Sequence, residues 1–248
     1  MRNIWTIAKR EYNLYFISPV AYVLAAGILL LLGGYFALIV ASASDPQAMF
    51  SGYTPDIVPV NGLFAFLLVL IVPALTMRLL ADENRTGTIE LLLTSPLRDF
   101  ELVAGKWLGS FLFMLTVIAI TLVYPIILNS LIKPGIDQVV MMTSYLGLIL
   151  VAASFLALGT GISALFTNQI AAFFVSLVAF LVLWWLIGLP ANLMPTGGEF
   201  FRYLVINTHY ESTLNAGDIR LSDLIYFLSL IAVGLFTGTM AIETRRWR

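Results

Sequence analysis

QVVMMTSYLGLILVAASFLALGTGISALFTNQIAAFFVSLVAFLVLWW, residues 138–185, contains no Asp, Glu, Lys or Arg, and the uncharged run extends from Asp137 to Glu199. A bilayer core needs about 20 consecutive apolar residues in a helix, so this run is long enough for two crossings. Thr167-Asn168-Gln169 supplies the polar break between them. Four further charge-free intervals follow the same logic: Glu11 to Asp45, Asp56 to Arg78, Lys106 to Lys133 and Asp223 to Glu243. Together they predict six membrane-spanning helices, at 20–41, 59–77, 107–129, 144–166, 170–189 and 224–242. The fold class is therefore all-α integral membrane, a single transmembrane domain over residues 1–248.

Composition agrees. The chain is 60% hydrophobic and 11% charged, against roughly 25% charged residues in soluble domains. A net charge of −1 excludes a bulk basic surface for nucleic acid. The absence of cysteine excludes disulfides, thiolate metal sites and a cysteine nucleophile.

Orientation follows from the cationic residues, which concentrate on the cytoplasmic side of membrane proteins. With six spans, one side carries Arg2, Lys9, Arg10, Arg78, Arg85, Arg98, Lys106, Arg245, Arg246 and Arg248, ten of the thirteen Lys and Arg residues. The other side carries Lys133, Arg202 and Arg220. Both termini are expected in the cytoplasm. A cleaved leader is not expected: Ala41-Ser42-Ala43 resembles a cleavage site, but the apolar stretch before it is too long.

Residues 2–16 read as an amphipathic helix lying in the cytoplasmic interface, with Trp5, Tyr12 and Tyr15 as interfacial aromatics and Lys9, Arg10 and Glu11 on the wetter side. A simple anchoring flank of the first span is the alternative. Ser18-Pro19 makes a turn into the membrane. Pro73 and Pro125 should kink spans two and three. Small residues recur at four-residue spacing in Gly105/Gly109, Ala153/Ala157/Gly161 and Gly234/Gly238, faces that allow close helix approach. The outer loop 190–223 combines breakers with Phe200, Phe201, Tyr203, Leu204, Val205 and Ile206, too short to span, and reads as a re-entrant or interfacial helix. Its Tyr203, His209, Tyr210 and Glu211 either face a substrate or are interfacial anchors, and a lone loop histidine is expected to be a bystander.

Several chemistries are missing. No ionisable residue falls inside a predicted span, which argues against a proton- or ion-coupled carrier. Ser163 has no partner base within the spans for an intramembrane protease, and no His/Glu cluster offers a metal site. Gly105-Lys106 lacks the earlier glycine of a phosphate loop, since position 100 is Phe. The chain is not expected to be an enzyme or to hold a cofactor, and energised work would need a partner.

The densest polar segment is the loop 78–106. Within it, residues 81–85 continue helical from span two and Gly87 breaks that helix. A short helix over 88–93 follows, carrying Leu91, Leu92 and Leu93, and Ser95-Pro96 ends it. Asp99 is placed to cap the helix that becomes span three. The leucines ask for a hydrophobic partner or lie on the membrane surface. The pattern Glu83-x-x-x-Gly87-Thr88-x-Glu90-x-Leu92-Leu93-x-x-Pro96, followed by Gly105-Lys106, resembles permease subunits of ABC-2-type transporters. It looks especially like the small permeases of the gliding-motility and copper-accessory branch. The resemblance covers essentially the whole chain. It implies an exporter permease in which this loop is a coupling helix docked on a separate cytoplasmic ATPase, where ATP and Mg would bind. Glu83, Arg85, Gly87, Thr88, Glu90 and Leu92 would lie at or near that contact. It further implies pairing with a second permease, as homodimer or heterodimer, in the lipid of what is expected to be a bacterial cytoplasmic membrane, with the small-residue faces and the re-entrant segment as candidates for the dimer contact and outer gate. A mechanical or scaffold component driven by ATP and, less readily, a secondary transporter are the competing readings.

Overall fold

The computed structural model describes residues 2–43, 54–87, 97–133, 135–192 and 197–246. Thr88, Glu90 and Leu92, with the short helix expected over 88–93, lie outside the described residues. All regular structure among the described residues is helical, and six helical segments are long and apolar enough to cross a membrane.

The chain opens with α1 (Arg2–Ile17), which turns at Ser18 into α2 (Pro19–Ala43). Ser18 N–H donates to the Leu14 and Tyr15 carbonyls while its own carbonyl accepts from Ala21 and Tyr22, so one residue closes one helix and opens the next. Pro19 suits that first helical position, where its missing N–H would be unpaired anyway. The second crossing is α3 (Val58–Thr76), followed after a short turn by α4 (Ala81–Thr86). Gly87 ends α4 with φ +72°, a left-handed conformation that favours glycine.

The third crossing is two helices, α5 (Asp99–Thr121) and α6 (Val123–Leu131). Pro125 causes the break, because it has no N–H to give the Thr121 carbonyl four residues earlier. Tyr145 supplies the missing donor from another helix, its hydroxyl reaching that carbonyl at 2.9 Å. α5 starts at Asp99, not after it: Arg98 precedes the first turn, and its N–H donates to Glu101 Oε2 at 3.2 Å. The expected cap role of Asp99 is thus taken by Glu101 reaching back.

The uncharged run forms α7 (Gln138–Leu165) and α8 (Gln169–Trp184). Asp137 and Asn168 cap their N-termini, each carboxyl or amide oxygen accepting from two backbone N–H groups. A 3-10 helix (Leu186–Asn192) prolongs the fifth crossing. Two short helices, α9 (Gly198–Tyr203) and α10 (Ile206–Glu211), then lead to the last crossing, α11 (Leu221–Arg246). The α9–α10 stretch tucks back against the bundle, with Ile206, Tyr210 and Leu214 buried.

α7 is the central post, buried along most of its length, and α3 packs beside it. Phe64, Leu68 and Val72 of α3 join Leu148, Val151 and Phe155 of α7, Met114 and Val117 of α5, and Phe180 of α8 in one core. The most intimate pairing is α7 with α11. A methyl group added at Gly234 would stand 2.6 Å from the Ala157 carbonyl oxygen, and one at Gly161 would stand 2.5 Å from the Gly234 carbonyl oxygen. Gly238 lies over Val103 and Gly161. These small-residue faces are therefore occupied within one chain. Backbone atoms cannot step aside, so Gly234→Ala should destabilise by about 1–3 kcal/mol. It should be read as a lowered unfolding temperature in detergent. Gly27→Ala, where nothing lies within 4 Å, should leave that temperature unchanged or raise it.

Candidate functional site

At the end of the bundle that holds both termini, α4 is fastened to the turn between α7 and α8. The hydroxyl of Ser163 accepts from Leu80 N–H and Ala81 N–H at 3.1 Å each, and donates to the Met77 carbonyl at 3.2 Å. One side chain thus satisfies the backbone groups freed where α3 stops and α4 starts. Asn84 donates its amide to the Ala164 and Phe166 carbonyls, at 3.2 and 3.0 Å, closing the C-terminus of α7. Gln169, in the first turn of α8, donates to Asp82 at 2.6 Å.

On the other side of α4 lies a buried charge cluster. Lys106, two turns into α5, places Nζ 2.9 Å from Glu11 of α1 and 2.9 Å from Glu83 of α4. The three side chains are 4%, 10% and 15% exposed. α1 comes close enough because α5 presents glycine: a methyl group at Gly109 would stand 2.6 Å from Glu11 Cβ, and one at Gly105 2.7 Å from Ile7 Cβ. The Gly105/Gly109 face is thus the seat of α1, and it sets the reach between Glu11 and the ammonium. Two carboxylates share one cation, and Glu83 Oε2 has no hydrogen-bond partner among the described residues.

A cavity of about 350 Å³ adjoins the cluster, lined also by Arg10, Arg78 and Asp82. Arg78 donates to Ser18 Oγ at 2.9 Å and lies 5.8 Å from the centre of the Tyr15 ring. Burial, and after it the Glu11 carboxylate, push the Tyr15 phenol far above its ordinary range. It therefore stays a hydroxyl and donates to the Leu75 carbonyl at 3.2 Å.

Of the residues proposed from the sequence, Glu83 stands in this cluster and Gly87 at the end of α4. Arg85 is exposed and pairs with Asp82 at 3.1 Å, a surface pair worth about 0–1 kcal/mol. Two expectations are corrected. Glu11 faces inward with Ala8 and Tyr15, not the wetter side, because Lys106 lies opposite it. Ionisable groups also enter the spanning helices at their ends, with Lys106 in α5 and Asp223 in α11 both buried. The pairing of Glu11 with Lys106 was hidden in sequence, since a lysine before an apolar run ordinarily snorkels to water. The available signal was that Glu11 is the only acid between Arg2 and Ile17.

The opposite end holds a second buried polar pair. His209 Nδ1 lies 2.7 Å from Asp223 Oδ1, and Nε2 lies 2.7 Å from the Tyr203 carbonyl oxygen. The ring stacks on Tyr226 at 4.1 Å and meets the edge of Tyr203 at 4.9 Å. The expectation of a bystander histidine is corrected: the ring is 9% exposed and joins three helices.

Removing one partner of a buried ion pair leaves an uncompensated charge and costs about 3–5 kcal/mol. Lys106→Ala should reach that range, as a large drop in unfolding temperature in detergent. Glu83→Gln should be far milder, because Lys106 keeps its hydrogen bond to Glu11 and the second carboxylate is replaced by a neutral amide of the same shape.

A family model described as ABC-2 family transporter protein matches residues 6–232. None of the curated proteins compared with the chain matches it. The match runs from α1 well into the last long helix, so it takes in the charge cluster, the first five membrane-length helices and about half of the sixth. The chain is accordingly a multi-pass membrane protein that belongs to the ABC-2 transporter family, as a permease subunit of an ABC transporter.

Proposed function

We propose that this permease is the membrane half of an ATP-driven exporter in a bacterial cytoplasmic membrane, and that the end carrying α1, α4 and the α7–α8 turn faces the cytoplasm. The family generally pairs with a cytoplasmic ATPase. In this reading the segment between α3 and α5, with Glu83, Arg85, Gly87, Thr88, Glu90 and Leu92, receives that subunit, which holds ATP and Mg. The narrower likeness to gliding-motility and copper-accessory permeases rests on the loop motif.

The observation that carries the reading is the fastening of α4. It is bonded to α5 and α1 through Lys106, and to α7 and α8 through Ser163, Asn84 and Gln169. A push on α4 from below therefore bears on the first, third, fourth and fifth crossings or their leads at once. The ten-to-three distribution of Lys and Arg supports the orientation. A second permease would complete the path, and the exposed faces of α2 and α8 are open to it or to lipid.

The chain has no cysteine, so single cysteines report cleanly. Arg85→Cys should react with a membrane-impermeant maleimide only after the cells are opened, and Phe200→Cys should react in intact cells. The reverse pattern would invert the orientation. With the ATPase co-expressed, Arg85→Cys should also crosslink to it. Glu83→Lys places two cations against one carboxylate and should abolish ATP-driven transport; full transport in that variant would remove α4 from the coupling path.

A further inference from the structure

We propose that His209 and Asp223 form a proton-held latch that closes the α9–α10 segment onto α11 and opens as the pH on that side of the membrane rises. Its location on the outer side rests on the orientation proposed above.

The geometry requires an extra proton. Both ring nitrogens of His209 face acceptors at 2.7 Å, a carboxylate oxygen on one side and a backbone carbonyl on the other. A neutral imidazole carries one N–H and can satisfy only one of them. Both bonds exist together when the ring is an imidazolium, or when Asp223 carries the proton and donates it to Nδ1. In either form the pair holds one proton more than a neutral ring beside an ionised carboxylate.

The surroundings favour the charged ring. Asp223 is 2% exposed, and its Oδ2 has no hydrogen-bond partner among the described residues. A carboxylate so desolvated needs a cation close by, and the first turn of α11 also favours its negative charge. The ring lies between the face of Tyr226 and the edge of Tyr203, and stacking on an aromatic face suits a cation.

Other charged groups nearby are engaged elsewhere. On the ring's own helix, Glu211 turns to Asn215 and lies over Gly62. Before α11, Arg220 pairs with Asp218 at 3.6 Å. On α9, Glu199 and Arg202 are exposed. Three hydroxyls complete the surroundings: Thr213 donates to the His209 carbonyl, Ser222 lies 3.5 Å from Asp223 Oδ1, and Tyr226 donates to the Leu204 carbonyl at 2.7 Å.

Loss of the proton leaves a bare ring nitrogen 2.7 Å from an acceptor, where attraction becomes repulsion between lone pairs. If Nε2 is bare, α10 is pushed from the end of α9; if Nδ1 is bare, it is pushed from α11. The contribution of the latch is therefore full while the pair is protonated and is lost as pH rises past the point of release. Tyr210, beside His209 in sequence, is held far above its ordinary range by burial and does not titrate in the same interval.

His209 is the only histidine of the chain, so histidine-selective 15N labelling of the full permease, purified without a histidine tag, observes this ring alone. Between about pH 5 and pH 9, which brackets the charge change of histidine, the spectrum should pass from two protonated ring nitrogens to one. Over the same range, hydrogen exchange of residues 198–216, corrected for intrinsic rates, should become about tenfold faster. Asp223→Asn should keep exchange slow and remove its pH dependence, because the amide can donate to Nδ1 of a neutral ring. His209→Gln should exchange fast at every pH. A ring that is neutral throughout together with exchange that does not change with pH, or an Asp223→Asn variant with the wild-type pH dependence, would overturn the latch. A protonated ring together with maleimide labelling that puts Phe200→Cys in the cytoplasm would leave the latch standing and overturn only the orientation.

Discussion

One ammonium group shared by two carboxylates organises the end of the bundle where the chain begins. Lys106 lies where α1, α4 and α5 converge, and its Nζ stands 2.9 Å from one acid of each of the other two helices. Buried ions are costly unless paired and hydrogen-bonded, so the cluster exists only in the arrangement that brings all three helices together. Its value lies in specifying that arrangement more than in adding net stability. The two glycines on α5 are part of the same constraint, because any larger residue there would hold Glu11 out of reach.

The middle of the protein works on a different basis. Lipid is as apolar as the side chains that face it, so helix association there depends on close packing and on hydrogen bonds between helices. Both occur along α7. Glycine and alanine let α11 approach backbone to backbone, and Ser154 adds a bond to the Phe227 carbonyl at 3.2 Å. Trp107 donates to the Ala153 carbonyl at 3.0 Å, and Asn61 donates to Ser144 at 2.8 Å. Among the described residues the ion pairs lie at the ends, where Lys106 and His209 each tie helices from separate parts of the chain.

The crossings were legible in the sequence because absence of charge is a one-dimensional signal. The intervals bounded by Asp137, Lys106 and Asp223 become helices, and Asn168 caps α8 at the polar break. Ser18-Pro19 and Gly87 were legible for a local reason, since each acts on its own backbone. The site was legible only in part. Glu83 was found through a motif, but its partners Lys106 and Glu11 come from other parts of the chain, and pairing across such distances leaves no periodicity. His209 was misjudged for the same reason: Asp223 lies beyond an irregular loop, and only folding places the two in contact. The glycine repeats do not say what approaches them: Gly105 and Gly109 meet α1, Gly161 meets α11, and Gly234 and Gly238 of α11 meet α7 and α5.

The break in the third crossing has a mechanical meaning of its own. Below Thr121, α5 is bound to α1 and α4; above it, Tyr124 of α6 donates to the Leu29 carbonyl of α2 at 3.1 Å. The two halves thus answer to different neighbours, and the Tyr145 hydroxyl holds the point between them against the central helix. Such a member behaves as a jointed rod on a fixed pivot. A tilt of its lower arm need not be copied by the upper one, and the angle between the arms becomes a degree of freedom that a continuous helix would lack.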